Sequence, residues 1–385
     1  MRRAALIGIA AGAAVVTAGA AVLAVGLTSS DHGPPESGPQ PSSTPLPVGG
    51  SDAPDLDAAA LASDFLDDWV EDGRVVRHDQ GGDTVSEGQA YGLFAALIAD
   101  DEQSFDEVWT WTQEELVRPD GLMAWRWDDG AVVDDEPASD ADLDAARALV
   151  LAGDRFGRDD LRADGVELAT VIADRMTTVT AQGRILLPGL WAADREPYAY
   201  NPSYASPVAY EVLGAATGDP RWAELQQGSG AVTADILEAT DLPPDWAQIH
   251  VDGLIEPMPG PLGGGDPVQY AFDAPRLMLR YAESCTPTDV ALAAMPWQTL
   301  EREDELPARL DLGGGPLVQE QSAFGYTARA AAAHAAGDSL AATVDLERAA
   351  RLTVDYPTYY GSAWLVLATA MLTDDSLGGC GASAS

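Results

Sequence analysis

Apolar residues recur at helical spacing through most of this 385-residue chain, and few stretches alternate strictly between apolar and polar. From about Asp55 onward the pattern predicts helix after helix. Starts are expected near Leu56, Ser86, Glu102, Ser139, Asp159, Ser203, Asp219, Thr233, Asp273, Asp289, Gln319, Ser339 and Pro357. Pro- and Gly-rich stretches at 257–265 and 313–316 separate them. No repeat of fixed period is visible. The expected class is all-α, either a closed ring of helical hairpins or an irregular helical domain. Periodicity alone does not separate the two.

The apolar pattern changes at the N-terminus. Arg2 and Arg3 precede an unbroken run over residues 4–27, long enough to span a bilayer. Basic residues ahead of the run keep the N-terminus cytoplasmic and place the body outside. Residues 1–27 are therefore expected to be a membrane anchor or signal peptide, with the anchor favoured. Residues 28–54, rich in Pro, Ser and Gly, read as a tether, 55–377 as the main domain and 378–385 as a disordered tail. The predicted location is extracytoplasmic, anchored or secreted.

Composition narrows the chemistry. Net charge is −41, from 62 acidic against 21 basic residues, and every basic residue is an arginine. That excludes lysine Schiff-base chemistry and a P-loop lysine, and it argues against nucleic-acid binding. The four histidines fall in no metal-ligand or triad motif. Neither a metal nor a cofactor is expected. Cys285 and Cys380 lack CxxC spacing, and the sequence leaves open one disulfide or two separate thiols.

Three carboxylates stand at predicted helix starts. Glu87 lies in TVSEGQAYGLFAAL (Thr84 onward), where Ser86 and Gln89 have capping-box spacing and Tyr91, Phe94, Ala95 and Ile98 mark a core face. Such a carboxyl either complements the helix dipole or is a proton donor in a dry cleft. In ASDADLDAA (Ala138 onward), Ser139 and Asp142 resemble a second capping box, Asp144 and Asp154 read as solvated, and Asp140 has no evident structural task. In YAFDAPRLMLR (Tyr270 onward), Asp273 precedes Pro275 and reads as an N-cap, with Arg276 spaced to pair with a carboxylate. A general acid at a helix N-terminus faces a difficulty, because the dipole lowers its pKa. Glu87 can act as an acid only if a carboxylate such as Asp140 lies beside it or the site is dry.

Ten Trp and eleven Tyr outnumber six Phe, as suits stacking on pyranose rings. Trp125 and Trp127 fall in a loop before the Asp140 helix, and Tyr204 falls at another helix start. Trp109 and Trp111 read as core. Tyr359 and Tyr360 open the last helix and fit either core or cleft, and Tyr360 is retained with the sugar-binding set.

Taken in order, DGRVV, TVSEGQAYGLFAAL, FDEVWTWTQEEL, LMAWRW, ASDADLDAARALVLAG, NPSYASP, LPPDW, FDAPR and YYGSAWLVL resemble family 8 glycoside hydrolases, most of all the endoglucanases that accompany bacterial cellulose synthesis. The likeness runs from about residue 55 to 375. It implies an (α/α)6 barrel and inverting hydrolysis of β-1,4 glycosidic bonds, without metal or cofactor. By motif, Glu87 becomes the general acid and Asp273 the residue that activates water. Asp140 becomes the carboxylate holding the distorted sugar, Arg276 orients the base, and Tyr204 lies near the water. Trp125, Trp127, Asp142 and Tyr360 complete the expected substrate-binding set. Many family members have Pro and Trp where this chain has Met278 and Leu279. The expected partner is a β-linked polysaccharide, met by a monomer, with cellulose-synthesis machinery as a further candidate. The alternatives are a chitosanase or xylanase of the same family, or a catalytically weak glycan-binding protein.

Overall fold

The computed structural model describes residues 56–380 apart from residue 266. The N-terminal anchor or signal peptide and the whole of the tether lie outside the described residues. Among the described residues no helix is long and apolar enough to cross a membrane.

Among the described residues thirteen α-helices follow in chain order: α1 (Ala58–Trp69), α2 (Ser86–Ile98), α3 (Glu102–Glu115), α4 (Ser139–Phe156), α5 (Asp159–Arg175), α6 (Pro207–Thr217), α7 (Arg221–Ala239), α8 (Arg276–Ala282), α9 (Pro287–Ala294), α10 (Trp297–Leu300), α11 (Ala323–Ala335), α12 (Ser339–Asp355) and α13 (Tyr359–Thr373). α2 packs on α4, α4 on α6, α6 on α8, α8 on α11, α11 on α13, and α13 back on α2. Outside this ring α3, α5, α7, α9, α12 and α1 back the six inner helices. The closed ring of hairpins is an (α/α)6 barrel. The short connections after α4 and α11 force antiparallel neighbours, so the inner helices run parallel with their N-termini at one mouth.

Sequence explains which helices go inside. Every residue of α8 is buried, as is every residue of α2 except Glu87; α2 is apolar on nearly every face, as a core helix must be, and α8 brings only paired arginines inside. α4 and α5 approach closely through glycines. A Cβ at Gly165 would stand 2.8 Å from the Ala146 carbonyl oxygen, and one at Gly153 2.7 Å from the Arg162 nitrogen.

The interior of the ring carries an ordered stripe of charge. Asp140, Asp144 and Arg147 of α4 meet Arg276, Arg280 and Glu283 on and just after α8, each partner 136 residues further along the chain. Arg280 Nη1 donates to Asp144 Oδ1 at 2.6 Å. Arg147 Nη1 and Nη2 donate to the Glu283 oxygens at 2.8 and 2.7 Å. Both residues of each of these two lower pairs are almost fully buried. The i, i+4, i+7 spacing is one helical face, so two parallel helices in fixed register match rung for rung. Asp144, expected in solvent, is therefore the centre of this ladder.

Several local expectations change. Helices begin at Ser86 and Ser139, but neither capping box forms: Val85 and Ala138 are the caps, without side-chain capping bonds. Gln89 instead turns inward, accepting from Val75 N at 2.6 Å and donating to Thr112 Oγ1 at 2.8 Å. Thr233 lies within the continuous α7 rather than at a start. α8 begins at Arg276, so Asp273 is not its N-cap. Trp109 is core, and Trp111 packs partly buried beside it.

Cys285 and Cys380 form a disulfide, with Cα atoms 5.1 Å apart. The Cys380 N–H donates to the Glu283 carbonyl at 2.9 Å, and Arg147 Nε donates to the Leu377 carbonyl at 3.0 Å. Residues 378–380, expected in a disordered tail, thus belong to the fold; the remainder of that tail lies outside the described residues. Glu283→Gln, which strands Arg147 in the interior, is expected to cost about 3–5 kcal/mol of stability in denaturant unfolding. A loss below about 1 kcal/mol would show that the lower rung is not a closed, desolvated pair.

Candidate active site

The residues singled out from sequence converge at the mouth where the inner helices begin. Glu87 opens α2, Asp140 opens α4, Tyr204 precedes α6, Arg276 opens α8 and Tyr360 opens α13. Their positive helix ends face the carboxylates. A cavity of about 170 Å³ is lined by Glu87, Asp140, Asp273, Arg276, Tyr204 and Trp125, among others. A larger cavity of about 500 Å³ beside the Cys285–Cys380 bridge has no charged side chain in its lining, so the smaller one holds the chemistry.

The Arg276 guanidinium organises this floor. Its Nη1 donates to Glu87 Oε1 and, at 2.9 Å, to Asp140 Oδ2, while Nη2 donates to Asp273 Oδ1. Its Nε donates to Ser203 Oγ at 3.1 Å, and its plane lies over the Tyr204 ring at 5.1 Å. One cation thus faces three anionic groups while almost wholly buried. Burial is the largest influence on Asp140 and pushes its carboxyl up to about 6; Arg276 opposes the shift, and Glu87 and Asp144 add to it. Burial likewise pushes Asp273 up to about 7, opposed by Arg276 and reinforced by Asp245 and Asp140. The proximity that Glu87 needed is present, since Asp140 shares the same guanidinium nitrogen.

The aromatic expectations divide. Trp125 lines the cavity, its carbonyl accepting from Ser86 N at 2.9 Å. Trp127 does not line it. This residue lies in the strand Arg126–Asp128, paired with Thr84. Trp127 packs edge-on against Trp111 at 5.5 Å and donates to Glu115 Oε2 at 2.9 Å. Tyr360 donates to the Phe272 carbonyl at 3.0 Å, next to Asp273. Asp142 is fully buried away from the cavity. Its Oδ1 accepts from Met123 N at 2.9 Å, fixing the segment that carries Trp125, and burial raises its pKa well above the usual range.

The sequence reading did not single out four contributors. Tyr91, assigned to the core face, donates to Glu87 Oε1 at 2.7 Å from one helical turn away. Ser203 accepts from Arg276, Arg77 lines the cavity beside Glu87, and Asp245 binds the backbone around Asp273. The i, i+4 spacing of Glu87 and Tyr91 was a usable sign. Ser203 and Asp245 fall within the quoted NPSYASP and LPPDW segments, but their partners became visible only in the fold.

Known proteins share this arrangement of segments. The profile of Glycosyl hydrolases family 8 matches residues 62–371. A probable endoglucanase of Novacetimonas hansenii is 30% identical over 306 residues, covering 77% of this chain and 84% of that one. The endoglucanase of Escherichia coli (strain K12) is 32% identical over 203 residues, and the match spans 54% of its length. Among solved structures, the endo-β-1,4-glucanase of Acetobacter xylinum superposes with a TM-score of 0.69 at 25% identity, covering 82% of this chain and 97% of that one.

A carboxyl with a raised folded pKa contributes stability below its unfolded value and loses it as pH rises through the folded value. For Asp140 that window runs from the ordinary aspartate value of 3.8 to about 6. Asp140→Asn should therefore gain stability relative to the parent as pH rises across this window, by on the order of 1–3 kcal/mol. Melting at pH 4 and pH 7 checks this, and a pH-independent difference would contradict the buried, partly protonated state.

Proposed function

Because the chain belongs to glycosyl hydrolases family 8, we propose that it is an exported endoglucanase that cleaves β-1,4-glucan with inversion. Glu87 protonates the departing glycosidic oxygen. Asp273 takes a proton from the attacking water. Asp140 holds the distorted sugar beside the scissile bond. The observation that carries this reading is the single guanidinium of Arg276 joining all three carboxylates on one cavity floor.

The geometry suits the chemistry. Inversion requires room for a water between one carboxylate and the sugar, hence a carboxyl separation of about 6.5–9.5 Å. Glu87 and Asp273 sit on different terminal nitrogens of the same Arg276 guanidinium, which keeps both carboxyls within reach of one sugar. Arg276 favours the ionised form of Asp273 against the effect of burial, as a base requires. Three carboxyls face the one cation, and burial raises Asp140 and Asp273, so a proton is shared within the set. Trp125 offers a flat face to a pyranose ring.

The names of the relatives from Novacetimonas hansenii and Acetobacter xylinum support a β-1,4-glucan substrate. The apolar run behind Arg2 and Arg3 supports export. So does the Cys285–Cys380 disulfide, because such bonds persist in oxidising compartments.

Glu87→Gln and Asp273→Asn are each expected to lower reducing-end release from carboxymethylcellulose by about 10²–10⁴-fold, with melting temperatures close to the parent's. Parent-like rates in either variant would refute that residue's role.

A further inference from the structure

Asp273 stands in a segment that belongs to no helix or strand, since α8 begins only at Arg276. Backbone N–H groups in such a segment lack ladder partners, and burial obliges them to find others. They find Asp245. Its Oδ1 accepts from Ala271 N at 2.9 Å, Asp273 N at 3.2 Å and Ala274 N at 2.9 Å. Gln269 Nε2 donates to Oδ2 at 3.4 Å, and Gln269 Oε1 in turn accepts from Arg309 Nε and Nη2 at 2.9 and 2.7 Å. The Asp245 N–H closes the arrangement on the Gln269 carbonyl at 2.8 Å. Asp245 is 8% exposed. Each partner of its carboxyl is a donor and favours the carboxylate, against burial, which pushes the Asp245 carboxyl up.

We propose that Asp245 is the positioning residue for the catalytic base: it wraps residues 271–274 around one carboxylate oxygen and fixes a negative charge behind Asp273. The proposal rests on the reading of Asp273 as the base. Two effects follow from one side chain. The first is geometric, because the backbone of the base is held by Asp245 rather than by a helix. The second is electrostatic. The groups facing Asp273 are Arg276, Asp140, Asp245, Tyr204 and Tyr360, with Glu87 reaching it through Arg276. Of these, Asp245 is the anion that also holds the Asp273 backbone. Its charge opposes ionisation of Asp273 and makes it a stronger base once ionised.

The test compares Asp245→Asn and Asp245→Ala in the full chain on carboxymethylcellulose. Asparagine keeps an acceptor for the three N–H groups and removes the charge. It should fold, hold KM within a few-fold, and move the acidic limb of the kcat/KM profile to lower pH by several tenths of a unit to about one unit. Alanine removes the acceptor as well, and kcat should fall by about 10²-fold with KM changed far less. Should the alanine variant not fold, the limb in the asparagine variant decides alone. The proposal is overturned if the acidic limb of Asp245→Asn coincides with the parent's, or if activity falls only in step with the folded fraction. Parent-like activity of Asp273→Asn would remove the base assignment itself, and this proposal with it. An inactive Asp273→Asn with an unmoved limb in Asp245→Asn would sink the positioning role alone.

Discussion

Three ion pairs crossing the interior of the ring set the geometry on which everything at the mouth depends. α4 and α8 are separated in the ring by α6, yet they are tied by Asp140–Arg276, Asp144–Arg280 and Arg147–Glu283 in unbroken register. Charges in a barrel interior cost several kcal/mol each to desolvate, and only paired, hydrogen-bonded geometry offsets that cost. A slip of one residue between the two helices would strand every charge at once. The ladder is therefore better understood as a constraint on register than as a store of stability. Its lower end meets the disulfide-bonded C-terminal segment through Arg147 and Glu283. Its upper end delivers Arg276 to the cleft.

At that upper rung the balance changes. The two lower pairs are one cation to one anion, whereas Arg276 faces Glu87, Asp140 and Asp273 together. Excess negative charge in a buried site raises carboxyl pKa values, while helix N-termini and the arginine lower them. The site thus keeps both an ionised and a protonated carboxyl available near neutral pH, which acid/base cleavage of an acetal requires. Neither a bare helix terminus nor a wholly dry pocket would supply both forms.

Much of this was legible in the sequence. Helix after helix could be read from apolar spacing, and Glu87, Asp140, Asp273 and Arg276 stood out within quoted motifs. Ring closure was not legible from periodicity, because it depends on which helices pack together across long sequence separations. Asp144 was misread for the same reason: a charged residue on an apolar face looks solvated until Arg280 is brought to it. The matching i, i+4, i+7 charges on two apolar helices were the available clue. Trp127 was misplaced because its partners, Trp111 and Glu115, are brought to it by tertiary packing that composition does not mark. Asp142 and Gln89 sat at capping distances, but tertiary partners at Met123 and Thr112 claimed their side chains.

Under the proposed mechanism Glu87 and Asp273 act on opposite sides of one glycosidic bond, with a water rather than an enzyme side chain attacking the sugar. Proton NMR of the first products from a soluble β-1,4-glucan tests it most directly. The α-anomeric reducing-end signal should appear first, and the β signal should grow in only by mutarotation. A β-anomer formed first would mean net retention and would contradict the arrangement of acid, water and base derived from Arg276.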